Sequence, residues 1–284
     1  MDNAKDKNMK RTSINNNHLR KIWDQRADMH FARKMCKTED KCSKLYDKSW
    51  WSYIEPHLSK IKNGRILEAG CGTGRWAERL APMGFEMVLS DLSPKMLHYA
   101  QDYAEQHGFA DKLSFEELDI CDMHSLLNNS FDMVLSTGEP LTMCANPEKA
   151  ISELCRVVRP GGYLICDAGN RYRKVFDLSH RKEFDQILKV LETGNYVPEN
   201  GLTQHLLGPE ELVEILKANK MEVHNLAGIT PMFSFPPDSE LKDALEHESI
   251  FRDMLEISET YAERPGIVNL SSRLLAVARK PKLK

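Results

Sequence analysis

The chain has 284 residues, 41% of them hydrophobic, which is enough to bury one sizeable core and leaves residues for a smaller appended layer. Its formal net charge of -3 at pH 7 excludes the global basic field that dominates non-specific nucleic-acid binding. No stretch approaches the roughly 20 apolar residues of a membrane span, so we expect a cytoplasmic protein with neither a membrane nor a nucleic acid as partner.

The N-terminal region predicts a tail and a helical lid. Residues 1–17 are polar and lack the apolar segment of a signal peptide, so we expect a flexible tail. Residues 18–62 predict two helices, the second from about Tyr46 to Ile61. The first helix would place one set of side chains on a common face: Leu19, Ile22, Trp23, Ala27 and His30.

The cysteines are odd in number and scattered along the chain. There are 7 of them, several inside apolar runs, which favours reduced thiols over a disulfide framework. Cys36 and Cys42 lie near His30, but no pair has the spacing of a zinc knuckle. We therefore expect no metal site.

Residues 63–284 predict the main domain. Short apolar runs alternate with helical patterns between residues 64 and 170, which is typical of a parallel sheet covered by helices on both faces. The strand candidates are "GRILEAG", "EMVLSD", "KLSFEELD", "FDMVLS", "GYLICDA", "MEVHNLAG" and "SRLLAVARK". They lack strict alternation, as strands buried on both faces do. The pattern predicts a doubly wound α/β fold.

Local signals mark the helices and the insertions between them. Ser93 before Pro94, and Asn146 before Pro147, predict helix starts, and Gly108 predicts a stop. Cap insertions are expected at about 171–207 and 230–266. Aromatic and methionine side chains gather in the added segments and could line an acceptor pocket or join the cap to the sheet: Trp50, Trp51, Tyr53, Tyr172, Tyr196, Met232, Phe233 and Phe235.

A glycine turn follows the first predicted strand in "ILEAGCGTGRWAERL". Gly70, Gly72 and Gly74 would let a ligand touch bare backbone, since side chains there would block its approach. In an open parallel sheet this turn is the usual site of a nucleotide-derived ligand. Asp91 ends the second strand, 17 residues after Gly74, where its carboxylate can accept both hydroxyls of a ribose.

The spacing of the glycines separates two classes of cofactor. Dinucleotide enzymes require a third glycine one step further along, where this chain has Arg75. Glu68 precedes the first glycine, and a carboxylate there would repel a pyrophosphate but could organise a cationic amino group. S-adenosylmethionine, which carries an amine and no phosphate, fits this site.

The motifs resemble those of class I S-adenosylmethionine-dependent methyltransferases, in particular the small-molecule branch that includes the ubiquinone and menaquinone enzymes. The matching stretches, in order, are "ILEAGCGTGRWAERL", "LSDLSPKML", "LDICD", "FDMVLS" and "RVVRPGGYLI". They cover residues 64–170, and "RLLAVARKP" resembles the last strand of the family. The resemblance implies a Rossmann-like fold with a seven-stranded, mostly parallel sheet.

The resemblance also implies roles for particular residues. Glu68 and the glycine turn should face the methionine part of the cofactor, and Asp91 its ribose. For the adenine, the resemblance implies Leu92 at one face and Asp119 with the backbone of Ile120 at the edge. It further implies that Ser136 and Thr137 lie beside the methionine chain and that Trp23 covers the site. Each has an alternative: Asp91 could cap the next helix, Asp119 could be an ordinary loop acid, and Trp23 could be core.

Four residues are candidates for acceptor binding or proton transfer. Glu139 lies in the loop after the fourth strand, and Asp167 and Arg171 lie beyond the fifth. His205 lies in the first insertion. The alternatives are a salt bridge within the insertion for Asp167 and Arg171, and a structural or solvated histidine for His205.

The sequence thus predicts a methyltransferase that acts on a small-molecule acceptor, such as a metabolite or natural product. A nicotinamide-dependent oxidoreductase would share the sheet and Asp91 but would need a small residue in place of Arg75. A non-catalytic S-adenosylmethionine-binding module would keep the glycine turn and lack an acceptor pocket. The acceptor atom and the oligomeric state stay open.

Overall fold

The computed structural model describes residues 16–35, 41–198, 201–229 and 239–282. Most of the predicted tail lies outside these ranges, as do Cys36, Met232, Phe233 and Phe235. The division into a tail, a lid and a main domain stays a prediction.

A central sheet organises the chain. Its strands are β1 (Arg65–Ala69), β2 (Glu86–Asp91), β3 (Leu113–Glu117), β4 (Phe131–Ser136), β5 (Val158–Gly169), β8 (Glu222–Ile229) and β9 (Arg273–Arg279), and a separate small sheet pairs β6 (Asn195–Tyr196) with β7 (Gln204–His205). The order in the 7-stranded sheet is β3-β2-β1-β4-β5-β9-β8. Strands β1 to β5 pair in parallel, and β9 is antiparallel to β5 and β8. The predicted seven-stranded, mostly parallel sheet is confirmed.

Helices cover both faces of this sheet. They are α1 (Asn16–Met35), α2 (Lys41–Leu58), α3 (Ala77–Leu80), α4 (Pro94–Gln106), α5 (Pro140–Met143), α6 (Pro147–Val157), α7 (Arg171–His180), α8 (Phe184–Thr193), α9 (Pro209–Ala218), α10 (Ser239–Glu246), α11 (Glu248–Tyr261) and α12 (Pro265–Leu270). Both predicted insertions are thus mainly helical where they are described.

The sheet lies between two apolar cores, one on each face. Ile66 and Leu67 are neighbours in β1 and point to opposite faces, as successive strand residues must. Leu67 packs in a cluster with α6 and α9, and Ile66 in a second cluster with α2 and α4. Full burial of such a side chain stabilises the fold by about 1.5–3 kcal/mol.

The helix starts predicted from Ser93 and Asn146 are confirmed. The Ser93 hydroxyl accepts a hydrogen bond from the Met96 N–H at 3.1 Å, and the Asn146 side chain accepts one from the Lys149 N–H at 2.9 Å. Helix α6 stops short of the proline and glycines of residues 160–162. The helix ends at Val157 and β5 begins at once, because the Gly161 N–H pairs with the Lys280 carbonyl at 2.7 Å and extends the sheet.

Candidate active site

A cleft of about 1110 Å³ opens at the carboxyl ends of the parallel strands. Its walls come from α1, α2, the turn after β1, the ends of β2 and β3, and the loop after β4. The central strand order reverses between β1 and β4, and open α/β sheets bind ligands at such a switch point. The volume exceeds that of most single-ligand sites, so the cleft has room for a nucleoside and a second small molecule.

The three glycines of the turn after β1 all have positive φ but serve different purposes. A Cβ on Gly70 would lie 2.7 Å from Pro140, and one on Gly74 would lie 3.1 Å from Leu89, so these two permit close packing of the chain on itself. Gly72 has φ +55° and nothing within 4 Å of a built Cβ. Gly70 and Gly72 line the cleft, and Gly72 is the position where a ligand can approach the backbone.

Asp91 lies directly beside this turn. One carboxylate oxygen accepts the Gly72 N–H at 2.8 Å and the other accepts the Ser93 N–H at 2.9 Å. Burial raises the pKa of Asp91, and these backbone hydrogen bonds oppose that rise. A carboxylate has about four acceptor sites in all, so Asp91 keeps capacity for a further donor. Ser93, not Asp91, caps α4.

Apolar side chains and a second acid continue the cleft beyond Asp91. Leu92 and Ile120 line it, as does Asp119. The Asp119 carboxylate accepts hydrogen bonds from the Cys121 N–H at 2.9 Å and from the Asn16 side-chain amide at 2.6 Å. These contacts hold the 119–122 turn and connect it to the start of α1.

Helix α1 crosses the cleft and contributes Trp23 to its wall. Near the middle of α1, Asp24 accepts a hydrogen bond from the Ser93 hydroxyl at 2.6 Å. Near its end, the Lys34 ammonium donates to the carbonyl oxygens of Thr73 and Gly74, each at 2.7 Å. The same ammonium lies 4.0 Å above the Tyr103 ring. Burial lowers the pKa of Lys34, and the Glu68 and Glu78 carboxylates oppose that effect.

Glu68 does not line the cleft, contrary to the expectation that it would face the methionine part of a cofactor. Its side chain is 4% exposed and lies behind the glycine turn. It accepts hydrogen bonds from the backbone N–H groups of Arg75 at 2.9 Å and Trp76 at 3.1 Å. Burial raises the pKa of Glu68 to about 7. The backbone donors that would be needed by a pyrophosphate are thus already taken by a carboxylate, which disfavours a dinucleotide.

Of the two residues predicted beside the methionine chain, only Thr137 lines the cleft. Its hydroxyl accepts a hydrogen bond from the Trp76 indole N–H at 2.8 Å. Ser136 is fully buried, and its hydroxyl has no hydrogen-bond partner within the described part of the chain.

Glu139 lies on the cleft wall, in a left-handed conformation with φ 75° at the start of α5. It accepts a hydrogen bond from the Arg273 guanidinium at 2.9 Å. Asp167 is fully buried and accepts the N–H groups of Gly138 at 3.0 Å and Glu139 at 2.8 Å. Asp167 therefore holds the loop that presents Glu139, and burial raises its own pKa.

Arg171 and His205 lie away from the cleft lining. Arg171 pairs with Glu211 of α9 at 2.5 Å, which is an ion pair to the element after the insertion and not one within it. His205 is fully buried and its Nδ1 lies 2.8 Å from the Asn195 side-chain oxygen. The structure does not bring these two together with Glu139, and their catalytic roles stay predictions that the geometry does not support.

Several residues of the cleft were not found by sequence reasoning. Tyr46, Asp47 and Arg75 line its far end, where Arg75 pairs with Asp47 and lies 4.8 Å above the Trp50 ring. Arg273 lies 4.8 Å above the Tyr46 ring. Arg273 is separated from Glu139 by 134 residues, and no local pattern could have paired them.

Comparison with known proteins agrees with this geometry. A model of the methyltransferase domain matches residues 66–162. The tRNA 5-carboxymethoxyuridine methyltransferase of Escherichia coli is 23% identical over 82% of this chain and 87% of its own length. A ubiquinone biosynthesis O-methyltransferase of Rickettsia canadensis is 27% identical over 62% of this chain and 70% of its own.

Among solved structures, an S-adenosylmethionine-dependent methyltransferase of Methanosarcina mazei has the same fold. Its TM-score is 0.57 at 20% identity, covering 81% of this chain and 98% of that one. The domain match and these relatives show that the chain is an S-adenosylmethionine-dependent methyltransferase with S-adenosylmethionine as its cofactor. They confirm the predicted resemblance to the class I enzymes. The donor set fits that cofactor, since Gly72 is open, Asp91 keeps free acceptor sites and Leu92 and Ile120 form an apolar wall.

Two further observations concern only the residues that the structure describes. Within those ranges, no helix combines the length and the apolar character required to cross a bilayer. In the same ranges, no group of three or more histidine, cysteine, aspartate or glutamate side chains is placed to hold a metal ion.

Proposed function

We propose that this enzyme methylates a small-molecule acceptor, a metabolite or natural product, at the end of the cleft between α2 and the loop after β4. The proposal rests on one observation, which is that two helices cover the cleft. Helices α1 and α2 both contribute to its walls, through Trp23 and Lys34 on α1 and Tyr46 and Asp47 on α2. An acceptor must fit inside this enclosure, which favours a small molecule over a folded polymer.

The cofactor roles follow from the cleft walls. The Asp91 carboxylate binds the ribose hydroxyls, Gly72 allows close approach of the backbone, and Leu92 and Ile120 pack on the adenine. Thr137 and Gly138 line the cleft in the loop after β4, and in this proposal the methionine chain passes beside them. When bound, the cofactor supplies an electrophilic methyl group on a sulfonium.

Positioning supplies most of the rate enhancement in this proposal. Methyl transfer is an in-line displacement, and alignment of two reactants can lower a barrier by about 7–11 kcal/mol. Glu139 is the one predicted catalytic residue on the cleft wall, held there by Arg273 and by the loop that Asp167 fixes. Its carboxylate orients the acceptor and accepts a proton from an acceptor O–H or N–H.

A tRNA nucleoside is the second candidate acceptor. The similarity to the E. coli tRNA methyltransferase favours it, because that similarity extends over 82% of this chain. Such an acceptor would have to be extruded from its strand to enter the cleft, as bases are in other enzymes that modify them.

The buried thiols of Cys71, Cys121 and Cys144 form no disulfide, in keeping with the expected cytoplasmic location.

One experiment separates the two acceptors. The protein is incubated with methyl-labelled S-adenosylmethionine and, in parallel, with a native metabolite extract and with total tRNA from the same source. We expect label and the mass of one added methylene group in a small molecule, and none with the Gly72→Val variant. Label confined to nuclease-sensitive tRNA would overturn the small-molecule proposal.

A further inference from the structure

A second cavity, of about 430 Å³, opens at the opposite edge of the sheet, where the parallel strands begin. Its walls are the segment after α2, the start of β5, one residue of β8 and the end of β9 with the segment that follows. They carry five basic side chains: Lys60, Arg159, His224, Arg279 and Lys282. We call this the basic cavity.

Only part of this positive charge is compensated. Arg159 pairs with Asp132, and His224 lies 4.0 Å from Glu222. Lys60, Arg279 and Lys282 form no ion pair with any carboxylate in the part of the chain that the structure describes. The basic cavity therefore holds at least three positive charges with no countercharge from the described residues.

Tyr163 provides a hydroxyl at the same place. Its side chain lines the basic cavity and is only 3% exposed. The ring is packed against His57 at 4.4 Å, with the Lys60 ammonium 5.7 Å and the Arg279 guanidinium 5.5 Å from its centre. No residue within the described ranges forms a hydrogen bond with the hydroxyl, and its oxygen is not fully buried, so a ligand can reach it.

The protonation of His57 reports the same positive field. This buried side chain lies beneath the basic cavity, with its Nδ1 3.4 Å from the Lys60 ammonium. Burial lowers the pKa of His57 to about 4, and the neighbouring basic groups Lys60, His224 and Arg279 lower it further. The basic groups around the cavity therefore also lower the pKa of a side chain that is buried inside the fold.

We propose that the basic cavity binds a phosphate group, either free or carried by a small phosphorylated molecule. Lys60, Arg279 and Lys282 supply the countercharge, and the Tyr163 hydroxyl supplies a hydrogen bond. Charge-assisted hydrogen bonds from an arginine fork and from ammonium groups match phosphate oxygens. The cations converge on one cavity and do not form an extended stripe along the surface, which favours a small ligand over the backbone of a polynucleotide.

Calorimetric titration with inorganic phosphate and with pyrophosphate, at fixed ionic strength, tests this proposal. We expect saturable binding, weakened about tenfold by Lys60→Gln or Lys282→Gln and by a smaller factor in Tyr163→Phe. Lys62→Gln is the matched control, because Lys62 is exposed, lies two residues from Lys60 and does not line the basic cavity. This control should change the affinity by less than about twofold. Tighter binding of pyrophosphate than of phosphate would assign the site to a phosphorylated molecule, and equal binding to the free ion.

Three outcomes would overturn the proposal: no saturable binding of either anion, equal weakening by Lys62→Gln, or binding of an RNA oligonucleotide without binding of phosphate or pyrophosphate. Unchanged affinity of the variants for S-adenosylhomocysteine would show that they remain folded. That control uses the cleft at the other edge of the sheet, so the anion proposal can fail while the methyltransferase assignment stands.

Discussion

The fold fixes the orientation of the Asp91 carboxylate, for which we propose a role in ligand binding. Its two oxygens each accept a backbone N–H, from Gly72 and from Ser93, which fixes the carboxylate beside the glycine turn. The remaining acceptor sites are then held in place before any ligand arrives. A ribose with two adjacent hydroxyls is the partner that fits such a carboxylate.

The Asp91→Ala variant should bind S-adenosylhomocysteine more weakly by about 1–3 kcal/mol, because the ribose hydroxyls lose their charged acceptor. Isothermal titration calorimetry measures this change. Asp111→Ala, at an exposed position outside the cleft, is the control and should bind as the wild type does. Wild-type affinity in Asp91→Ala would show that the ribose is held elsewhere.

Gly72→Val should abolish cofactor binding, since the new side chain would occupy the space that a ligand needs. Gly108→Val is its matched control: both glycines have positive φ and nothing within 4 Å of a built Cβ, but Gly108 lies outside the cleft. The two variants therefore carry similar backbone strain. Equal affinities of the two for S-adenosylhomocysteine would contradict close approach of the ligand at Gly72.

Sequence patterns predicted the position of Glu68 but not its orientation. Alternation along β1 cannot tell whether a carboxylate next to a glycine turn faces a ligand or the backbone behind the turn. The structure shows the second arrangement, with Arg75 and Trp76 as donors. Asp91 and Gly72 could be found because their spacing along the chain reflects a local strand–turn–strand geometry.

At the scale of elements, α1 is held over the cleft by a few polar contacts. Lys34 donates to two carbonyl oxygens of the glycine turn, and Asp24 accepts from Ser93 at the start of α4. Both contacts join α1 to the segments next to Gly72 and Asp91. The position of α1 and the shape of the turn therefore depend on each other.

Lys34→Met should weaken S-adenosylhomocysteine binding about tenfold, because two charge-assisted hydrogen bonds to the turn are lost. Hydrogen exchange should also speed up in α1 of this variant. Lys21→Met is the control on the same helix, since Lys21 is exposed and does not line the cleft. If the two variants showed the same affinity and exchange, Lys34 would have no part in holding α1.

Most of the seven strands were predictable because they are apolar runs buried by helices on both faces. The exceptions are β3 and the first half of β8, which lie at the two edges of the sheet and are partly exposed. The length of the helix that follows the glycine turn was less predictable. Only the short helix α3, Ala77–Leu80, forms there. The residues before it belong to the glycine turn or, as Arg75 and Trp76, donate their backbone N–H groups to Glu68. The helices of both insertions depend on packing against distant elements, such as α11 on α2, and local patterns gave only their approximate extent.

For the whole molecule, the cleft and the basic cavity lie at opposite edges of the sheet, and the sequence predicted only the cleft. The cleft at the carboxyl edge follows from motifs in consecutive elements. The contact between Arg273 and Glu139, and the basic cavity between β5, β8 and β9, join residues from distant parts of the chain. Such sites appear only when the strand order is known.

Buried Glu68 should make the stability of the whole fold depend on pH. Its pKa is raised from 4.5 to about 7, so the native state binds this proton more tightly than the unfolded state. Its stabilising effect is complete below pH 4.5 and is lost as the pH rises through about 7. The free energy of unfolding should fall across this window by up to about 1.4 kcal/mol per pH unit.

Urea denaturation at a series of pH values measures this slope. Glu68→Gln keeps an oxygen that can accept the Arg75 N–H but cannot ionise, so its slope should be smaller than that of the wild type. Glu55→Gln, an exposed change on α2, should retain the wild-type slope. A Glu68→Gln variant with the wild-type slope would show that this carboxylate does not titrate in the window.

A crystal structure of the complex with S-adenosylhomocysteine is the decisive experiment, because it locates the cofactor. We expect the ribose hydroxyls within hydrogen-bond distance of the Asp91 carboxylate, the nucleoside against Gly72, and the adenine between Leu92 and Ile120. A nucleoside bound elsewhere, or a cleft filled by side chains of the protein, would contradict it.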